Sequence, residues 1–197
     1  ALYGELEPDG DAGPALDNSI VSLFPCADFE RMLDPAYPGE RGVVICAHRD
    51  MANGAARQAI TAFEPSFIEH VAPWADSRIG RRPAGYREYK AARVAALVAH
   101  LRRYDRAFGD RFRVLDSASM LTFRDYLHSP DGAAYGIKQK IGQYNLIGKL
   151  PVRNLFAAGQ SSLLPGVAGA MMSSFIVVRQ VLGRDYLNRF VNGRLCN

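Results

Sequence analysis

The segment 155–170 constrains the fold of this chain more than any other part of the sequence. An apolar run ends at Gly159, and a short loop then leads into a second apolar run that begins at Gly166 and carries Gly169. This pattern predicts a buried strand, a turn, and a helix whose first turn is nearly free of side chains. Because the first N–H groups of a helix have no intrahelical partner, such a start directs bare amides at an anionic or electron-accepting group.

Length and composition favour one moderate soluble domain, or one domain plus a fragment of another. The chain has 197 residues, 48% of them hydrophobic, which is enough for a sizeable core. It lacks an apolar run of membrane-spanning length and a signal-peptide pattern, so a cytoplasmic location is expected. The 3 cysteines are too few and too irregularly spaced to predict a disulfide framework or a metal site.

Most of the basic residues are arginines scattered among acids. One dense group comprises Arg78, Arg81, Arg82 and Arg87, and a second lies at 102–106. Nucleic-acid-binding modules carry longer basic stripes interleaved with exposed aromatic residues, so no nucleic-acid partner is expected and both groups are interpreted as solvated faces. The net charge of +4 leaves open a weak peripheral contact with an anionic membrane surface.

The first part of the chain predicts a β-sheet with irregular connections. Residues 1–18 are rich in turn formers and acids, which predicts a loop. The β-rich runs 20–24 and 42–47 predict two neighbouring strands of one sheet. The alanine-rich region 52–74 is interrupted by prolines and predicts at most a short helix.

The remainder predicts alternating helices and strands, and therefore an α+β architecture. Apolar residues at three- and four-residue steps predict a helix over 86–108 that the following glycine stops. Residues 112–116 alternate as a half-buried strand does. Residues 153–158 predict a further strand, and 166–182 predict a strongly buried helix that Gly183 ends.

A flavin fits the strand-loop-helix unit. Negative charge gathers at one edge of the isoalloxazine ring on reduction, and a helix N-terminus at that edge would stabilise the reduced form. Gly159 would let the ribityl-phosphate pass close by, and Gln160 would hydrogen-bond to it. A side chain at Gly166 or Gly169 would occupy the volume of the ligand. From the pattern alone, a plain strand-turn-helix crossover with small packing residues stands as an equal alternative.

Residues 154–160 together with 165–170 resemble the C-terminal flavin-binding motif of the phytoene desaturase, carotenoid isomerase and retinol saturase group of FAD-dependent oxidoreductases. Segments 121–126 and 129–136 are similar to that group's approach to the motif. The resemblance implies a bipartite, Rossmann-like FAD domain with a substrate domain inserted in it. It also implies an apolar polyene or lipid-like substrate and hydride transfer between a carbon–carbon bond and the flavin.

The resemblance further implies roles for individual residues. Gly159 and Gln160 would lie beside the ribityl-pyrophosphate, and residues 167–169 would offer backbone groups to the pyrimidine edge of the flavin. Tyr135 and Lys138 would face the flavin or the substrate, and no catalytic residue is assigned. The predicted cofactor-binding residues are Gly159, Gln160, Pro165, Gly166, Val167, Ala168 and Gly169.

The sequence departs from the family pattern at its start. No two glycines are spaced two apart, as the first pair of the G-x-G-x-x-G dinucleotide fingerprint requires. We therefore expect the C-terminal portion of a longer enzyme or one subunit of a split one, with residues 1–128 as part of the substrate domain and 129–197 as the closing segment of the FAD domain. FAD binding by this chain alone would be incomplete, and its partner would be the missing N-terminal portion.

Two alternatives to the oxidoreductase stay open at this stage. The first is a non-catalytic binding or assembly module that keeps the desaturase-like shape without the flavin. The second is a hydrolase, because Gly159-Gln160-Ser161-Ser162-Leu163 resembles a G-x-S-x-G nucleophile elbow centred on Ser161. The second glycine is replaced by leucine in that segment, and all 4 histidines precede Ser161, which disfavours the hydrolase.

Overall fold

The chain divides into two compact units, an N-terminal unit of Ala1–Gly132 and a C-terminal unit of Ala133–Asn197. Both helices and strands occur in each unit, which confirms the predicted α+β class. The proposed roles of the two parts, and the predicted boundary at residue 128, stay predictions. The computed structural model describes residues 1–7, 19–50, 57–129, 131–136 and 148–195.

The N-terminal unit is built on a five-stranded antiparallel sheet with the strand order β2-β3-β4-β1-β5. Neighbouring strands pair along most of their length, for example Leu2 with Ala62, and a β-bulge lies at Tyr3 and Gly4 where β1 meets β5. The strands are β1 Leu2–Leu6, β2 Ile20–Leu23, β3 Val43–Asp50, β4 Arg57–Phe63 and β5 Phe112–Ser117.

Six α-helices occur among the described residues of the two units, together with a small second sheet in the C-terminal unit. The N-terminal unit holds α1 Phe29–Met32, α2 Ala84–Tyr104, α3 Ala107–Asp110 and α4 Met120–Leu127, with 3₁₀ turns at Ile68–His70 and Ala72–Trp74. The C-terminal unit holds β6 Gly148–Lys149, β7 Phe156–Ala157, α5 Gly166–Leu182 and α6 Arg184–Leu195.

The core of the N-terminal unit lies between one face of the sheet and helix α2. Successive strand residues point to opposite faces, so the alternating apolar residues of β1, β3 and β4 share one face. Leu97 and Leu101 of α2 pack onto that face, and Phe108 of α3 closes one side with its ring 5.3 Å from that of Phe112. The buried strand residues are Leu2, Leu6, Val43, Ile45, Ala47, Ile60 and Ala62.

Several elements match the sequence-based expectations. The runs 20–24 and 42–47 form the adjacent strands β2 and β3, in which Ile20 pairs with Cys46. The long helix, the strand at 112–117 and the helix at 166–182 are also present. The helices carry a long period of apolar residues, and the strands carry short apolar runs that include β-branched residues.

Four expectations were wrong in detail. Residues 2–6 form β1 rather than a loop, and 57–63 form β4 rather than a helix, because pairing with neighbouring strands overrides weak local propensity. The long helix ends at Tyr104: Asp105 is extended, and its carboxylate accepts a 2.8 Å bond from Ala107 N at the start of α3. Strand β5 does not alternate, since it is an edge strand with four consecutive exposed residues, 113–116.

Two general features of the described residues bear on function. Nowhere among them do three or more His, Cys, Asp or Glu side chains converge as metal ligands. None of the helices in the same residues combines the length and apolar character needed to cross a bilayer.

Candidate site at the start of helix α5

Helix α5 begins and ends as the sequence predicts. Pro165 occupies the N-cap position with φ −69° and ψ 164°, and no side chain caps the helix. Because proline has no side-chain acceptor, the first-turn N–H groups keep their unmet hydrogen-bonding capacity. Val167 in that turn is 79% exposed. At the other end, Gly183 has φ +87°, a conformation that favours glycine.

The strand before the site is shorter than predicted. The sequence favours a strand over 153–158, but β7 contains two residues, with Ala157 paired to Gly148 of β6. The preceding residues instead form a turn in which Leu155 N donates to Val152 O at 3.2 Å and Asn154 has φ +60°. This turn uses the backbone groups that a longer strand would need.

Gly159 is held by two serines rather than left open to a ligand. Its N–H donates to the Ser173 hydroxyl at 2.6 Å, and that hydroxyl donates to Ala170 O at 2.6 Å. Ser162 donates to the carbonyl oxygen of Gly159 at 3.1 Å. With φ +99°, Gly159 adopts a conformation that requires glycine. Its N–H is therefore committed within the chain and is not offered to a pyrophosphate.

The other two glycines of the motif have different structural reasons. Gly166 has φ +83°, and a Cβ there would have no heavy atom within 4 Å. A Cβ on Gly169 would instead collide with the carbonyl group of Leu164. The close approach of the loop to α5 thus accounts for Gly169 within this chain. The expectation that a side chain at either position would also enter the volume of a ligand stays a prediction.

Gln160 and the segment around Gly136 lie next to each other. Gly136 has φ +66°, and a Cβ there would lie 2.7 Å from the carbonyl oxygen of Gln160. Tyr135 is 60% exposed, and in the described part of the chain the amide side chain of Gln160 has no hydrogen bond. The structure therefore places Tyr135 and Gln160 in the same region, while Lys138 lies outside the described residues.

Helix α5 is not strongly buried, which corrects the sequence-based expectation. Of its residues only Gly169 and Ser173 are fully buried. The physical reason is that, among its described residues, the C-terminal unit supplies a two-stranded ladder and α6 to cover a helix that is apolar on most sides. The large apolar residues of α5 that are more than half exposed are Val167 at 79%, Met171 at 58%, Met172 at 54%, Val181 at 55% and Leu182 at 53%.

Sequence reasoning missed the polar residues that hold the site together. Ser173 fixes Gly159, and Gln180 accepts a 2.6 Å bond from Lys149 N, which ties β6 to α5. A serine pair inside an otherwise apolar helix is a detectable signal, since buried hydroxyls need partners. Helix α6 was also missed. The sequence does not show which serine of the pair faces the loop, because that depends on the position of β7.

Comparison with known proteins gives one distant relationship to an oxidoreductase. The chain is 22% identical over 135 residues to the all-trans-retinol 13,14-reductase of Danio rerio. The match covers 66% of this chain and 22% of the reductase, so the chain spans about a fifth of the length of that relative. No family model matches the chain. No solved structure matches it either.

Proposed function

We propose that this chain is the C-terminal part of a flavin-dependent oxidoreductase that acts on carbon–carbon bonds of an apolar polyene or lipid-like substrate. The uncapped start of α5, with the preceding turn tied to the same helix through Gly159 and Ser173, is the observation that carries the proposal. The name of the similar Danio rerio protein supports the substrate class, because it describes reduction at positions 13 and 14 of all-trans-retinol, a polyene.

The residues at the helix start fit part of a flavin site. Val167 and Ala168 are exposed in the first turn, so their backbone groups are accessible to an electron-rich ring edge. Gln160 has a free amide that can donate and accept hydrogen bonds to ribityl hydroxyls. Gly159 contributes a tight turn and not an N–H donor, because Ser173 already accepts from it. Pro165 and Gly166 set the direction in which the helix starts.

The exposed apolar surface of α5 supports a partner that completes the domain. A helix that is apolar on most sides is typical of the interior of a larger fold, where other elements cover it. We propose that the covering element is the missing N-terminal FAD-binding portion, as one polypeptide with this chain or as a separate subunit. That portion would also hold the pyrophosphate and the adenosine, for which the present residues offer no fingerprint.

FAD, when bound, would supply the hydride chemistry. The residues of this chain would then have two tasks. The helix dipole and the open amides of 167–168 would stabilise negative charge at the pyrimidine edge. The apolar residues that follow on α5 would exclude water once they are covered, which strengthens those interactions.

The first experiment restores the missing portion and measures flavin content by absorbance. A yellow complex that forms only on complementation is the expected result. A colourless complex that is otherwise stable would reject the oxidoreductase and favour the non-catalytic assembly module.

A charge placed at the helix start separates cofactor binding from folding. Ala168→Glu adds a carboxylate where an acid stabilises a helix by about 0.3–1 kcal/mol, so the fold should hold or gain stability. The same carboxylate would repel the reduced flavin and lower its two-electron potential by about 20–40 mV, on the scale of roughly 30 mV per 1.4 kcal/mol. Ala168→Gln is the neutral control and should leave the potential near that of the wild type. An unchanged potential in Ala168→Glu would place the ring elsewhere.

A further inference from the structure

A sharp turn in the N-terminal unit presents an apolar tip between two arginines. Arg81 N donates to Arg78 O at 3.0 Å, which closes a β-turn over Ile79 and Gly80. Gly80 has φ +76°, and a Cβ there would have no heavy atom within 4 Å, so the tip extends into open space. Ile79 is 53% exposed at this tip. Turns of this form favour glycine at the third position and fix the direction of the residue before it.

Internal hydrogen bonds prevent this turn from folding back onto the protein. Arg82 pairs with Asp125 of α4 at 2.5 Å, and the same carboxylate accepts from Ile79 N at 3.2 Å. Arg124 donates to Ser77 O at 2.9 Å and to Ala75 O. The bonds of Arg82 and Arg124 are partly shielded from solvent, whereas the bond from Ile79 N is exposed, and together they hold both ends of the turn to α4. These contacts keep Ile79 at the exposed tip.

The side chains of Arg78 and Arg81 give the tip a positive charge that a ligand can reach. In the described part of the chain, the guanidinium groups of Arg78 and Arg81 form no ion pair. Asp125 is neutralised by Arg82 and Arg124, so it does not offset them. Asp76 is exposed nearby and cancels one of the free charges at most. The turn thus combines a fixed apolar tip with two arginines, Arg78 and Arg81, whose guanidinium groups have no ion-pair partner among the described residues.

The end of helix α4 lies next to the turn. Ile79 and Arg78 line one depression together with His128 and Ser129, the two residues that follow α4, and with Asp76 and Asp125. We call Arg78, Ile79 and Arg81 the arginine–isoleucine surface.

We propose that the arginine–isoleucine surface binds the surface of an anionic lipid bilayer. Arginines suit lipid phosphates, and a fixed isoleucine suits the boundary between headgroups and acyl chains. A nucleic acid would use aromatic stacking faces along a basic groove, and this surface offers a protruding aliphatic tip instead. Binding to vesicles does not depend on the flavin. Its meaning as a route for an apolar substrate rests on the proposed function.

The test is co-sedimentation of the purified protein with vesicles of phosphatidylcholine alone or with about one third phosphatidylserine. The wild-type protein is expected to bind the anionic vesicles, and this binding should fall at high salt.

Variants of the surface should weaken binding to the anionic vesicles. At roughly fivefold per arginine near the surface, Arg78→Ala with Arg81→Ala should weaken it by about 25-fold. Ile79→Ser should weaken it by about 10-fold through loss of apolar burial. Arg78→Lys with Arg81→Lys keeps the charge and should retain most of the binding.

A matched control variant and a competing ion make the outcome decisive. Ile20→Ser changes an isoleucine that is 74% exposed on edge strand β2 and should leave vesicle binding within about twofold, as exposed changes away from a contact do. Equal loss in Ile20→Ser, or no loss in Ile79→Ser, would overturn the proposal. So would wild-type protein that ignores both vesicles. If inorganic phosphate displaces the protein more than chloride at equal ionic strength, the arginines bind a free anion and the lipid assignment is wrong.

Discussion

The two long helices of this protein differ in how far their apolar residues are buried. Helix α2 buries Leu97 and Leu101 against the five-stranded sheet. Helix α5 carries Arg179 as its one charged residue, yet its fully buried residues are the small Gly169 and Ser173. The buried apolar residues found among the described residues all belong to the N-terminal unit.

The difference shows that the N-terminal unit has a core of large apolar side chains and that the described residues of the C-terminal unit do not. The buried strand residues of the N-terminal unit form one cluster with Leu97, Leu101 and Phe108 of α2 and α3. The C-terminal unit fixes its turn with hydrogen bonds between Gly159, Ser162 and Ser173 but leaves the large side chains of α5 open. Hydrogen bonds define the direction of α5, and burial by another polypeptide would supply the remaining stability.

Matched leucine deletions in the two helices should have the largest and most unequal effects. Leu101→Ala empties a fully buried site in α2 and should cost about 2–5 kcal/mol of unfolding free energy. Leu182→Ala removes a side chain that is 53% exposed in α5 and should cost less than about 0.5 kcal/mol. Urea denaturation followed by circular dichroism measures both values.

The same pair also tests whether α5 is covered in the complete protein. When the proposed N-terminal FAD-binding portion is added, the cost of Leu182→Ala should rise toward that of a buried leucine, while Leu101→Ala should change little. A value for Leu182→Ala that stays small in the complete protein would show that α5 is a permanent surface helix, and the completion model would fail.

Sequence reasoning predicts the helices that have a strong hydrophobic period and the strands that follow one another as β-rich runs. It fails for strands that form only through pairing with their neighbours in the folded sheet. Helix α5 is defined locally by Gly166 and Gly183, so its bounds match. Strand β4 is not defined locally, because Gln58, Ile60 and Ala62 become strand residues only through pairing with β3 and β1. At the site, the glycines are visible in the sequence, but the commitment of the Gly159 N–H to Ser173 follows from packing that no local pattern encodes.

Loss of the serine contact should have an intermediate effect. Ser173→Ala leaves the Gly159 N–H without its acceptor at a partly buried position, which should cost about 1–2 kcal/mol. Ser174→Ala is the matched control: its hydroxyl bonds Ala170 O at 3.3 Å and is exposed, so it should cost less than about 0.5 kcal/mol. Amide hydrogen exchange at Gly159 should speed up in the first variant alone. Unchanged exchange there would mean that the turn does not depend on Ser173.

The smallest expected effect is an alkaline loss of stability in the N-terminal unit. Tyr89 stacks against Trp74, with ring centroids 5.2 Å apart, and burial is the main cause that raises the pKa of its phenol above the ordinary value. A raised pKa means that the folded state binds the proton more tightly than the unfolded state. The stability from this group is therefore complete below the pKa of the unfolded state, near 10.0, and is lost as the pH rises through the higher pKa of the folded state.

The Tyr89→Phe variant cannot ionise at this position, so its unfolding free energy should fall less than that of the wild type between about pH 9 and pH 11. Parallel curves for the two proteins would show that the ring ionises equally well in both states, and that the cluster around Trp74 is more open to water than the core around Leu101.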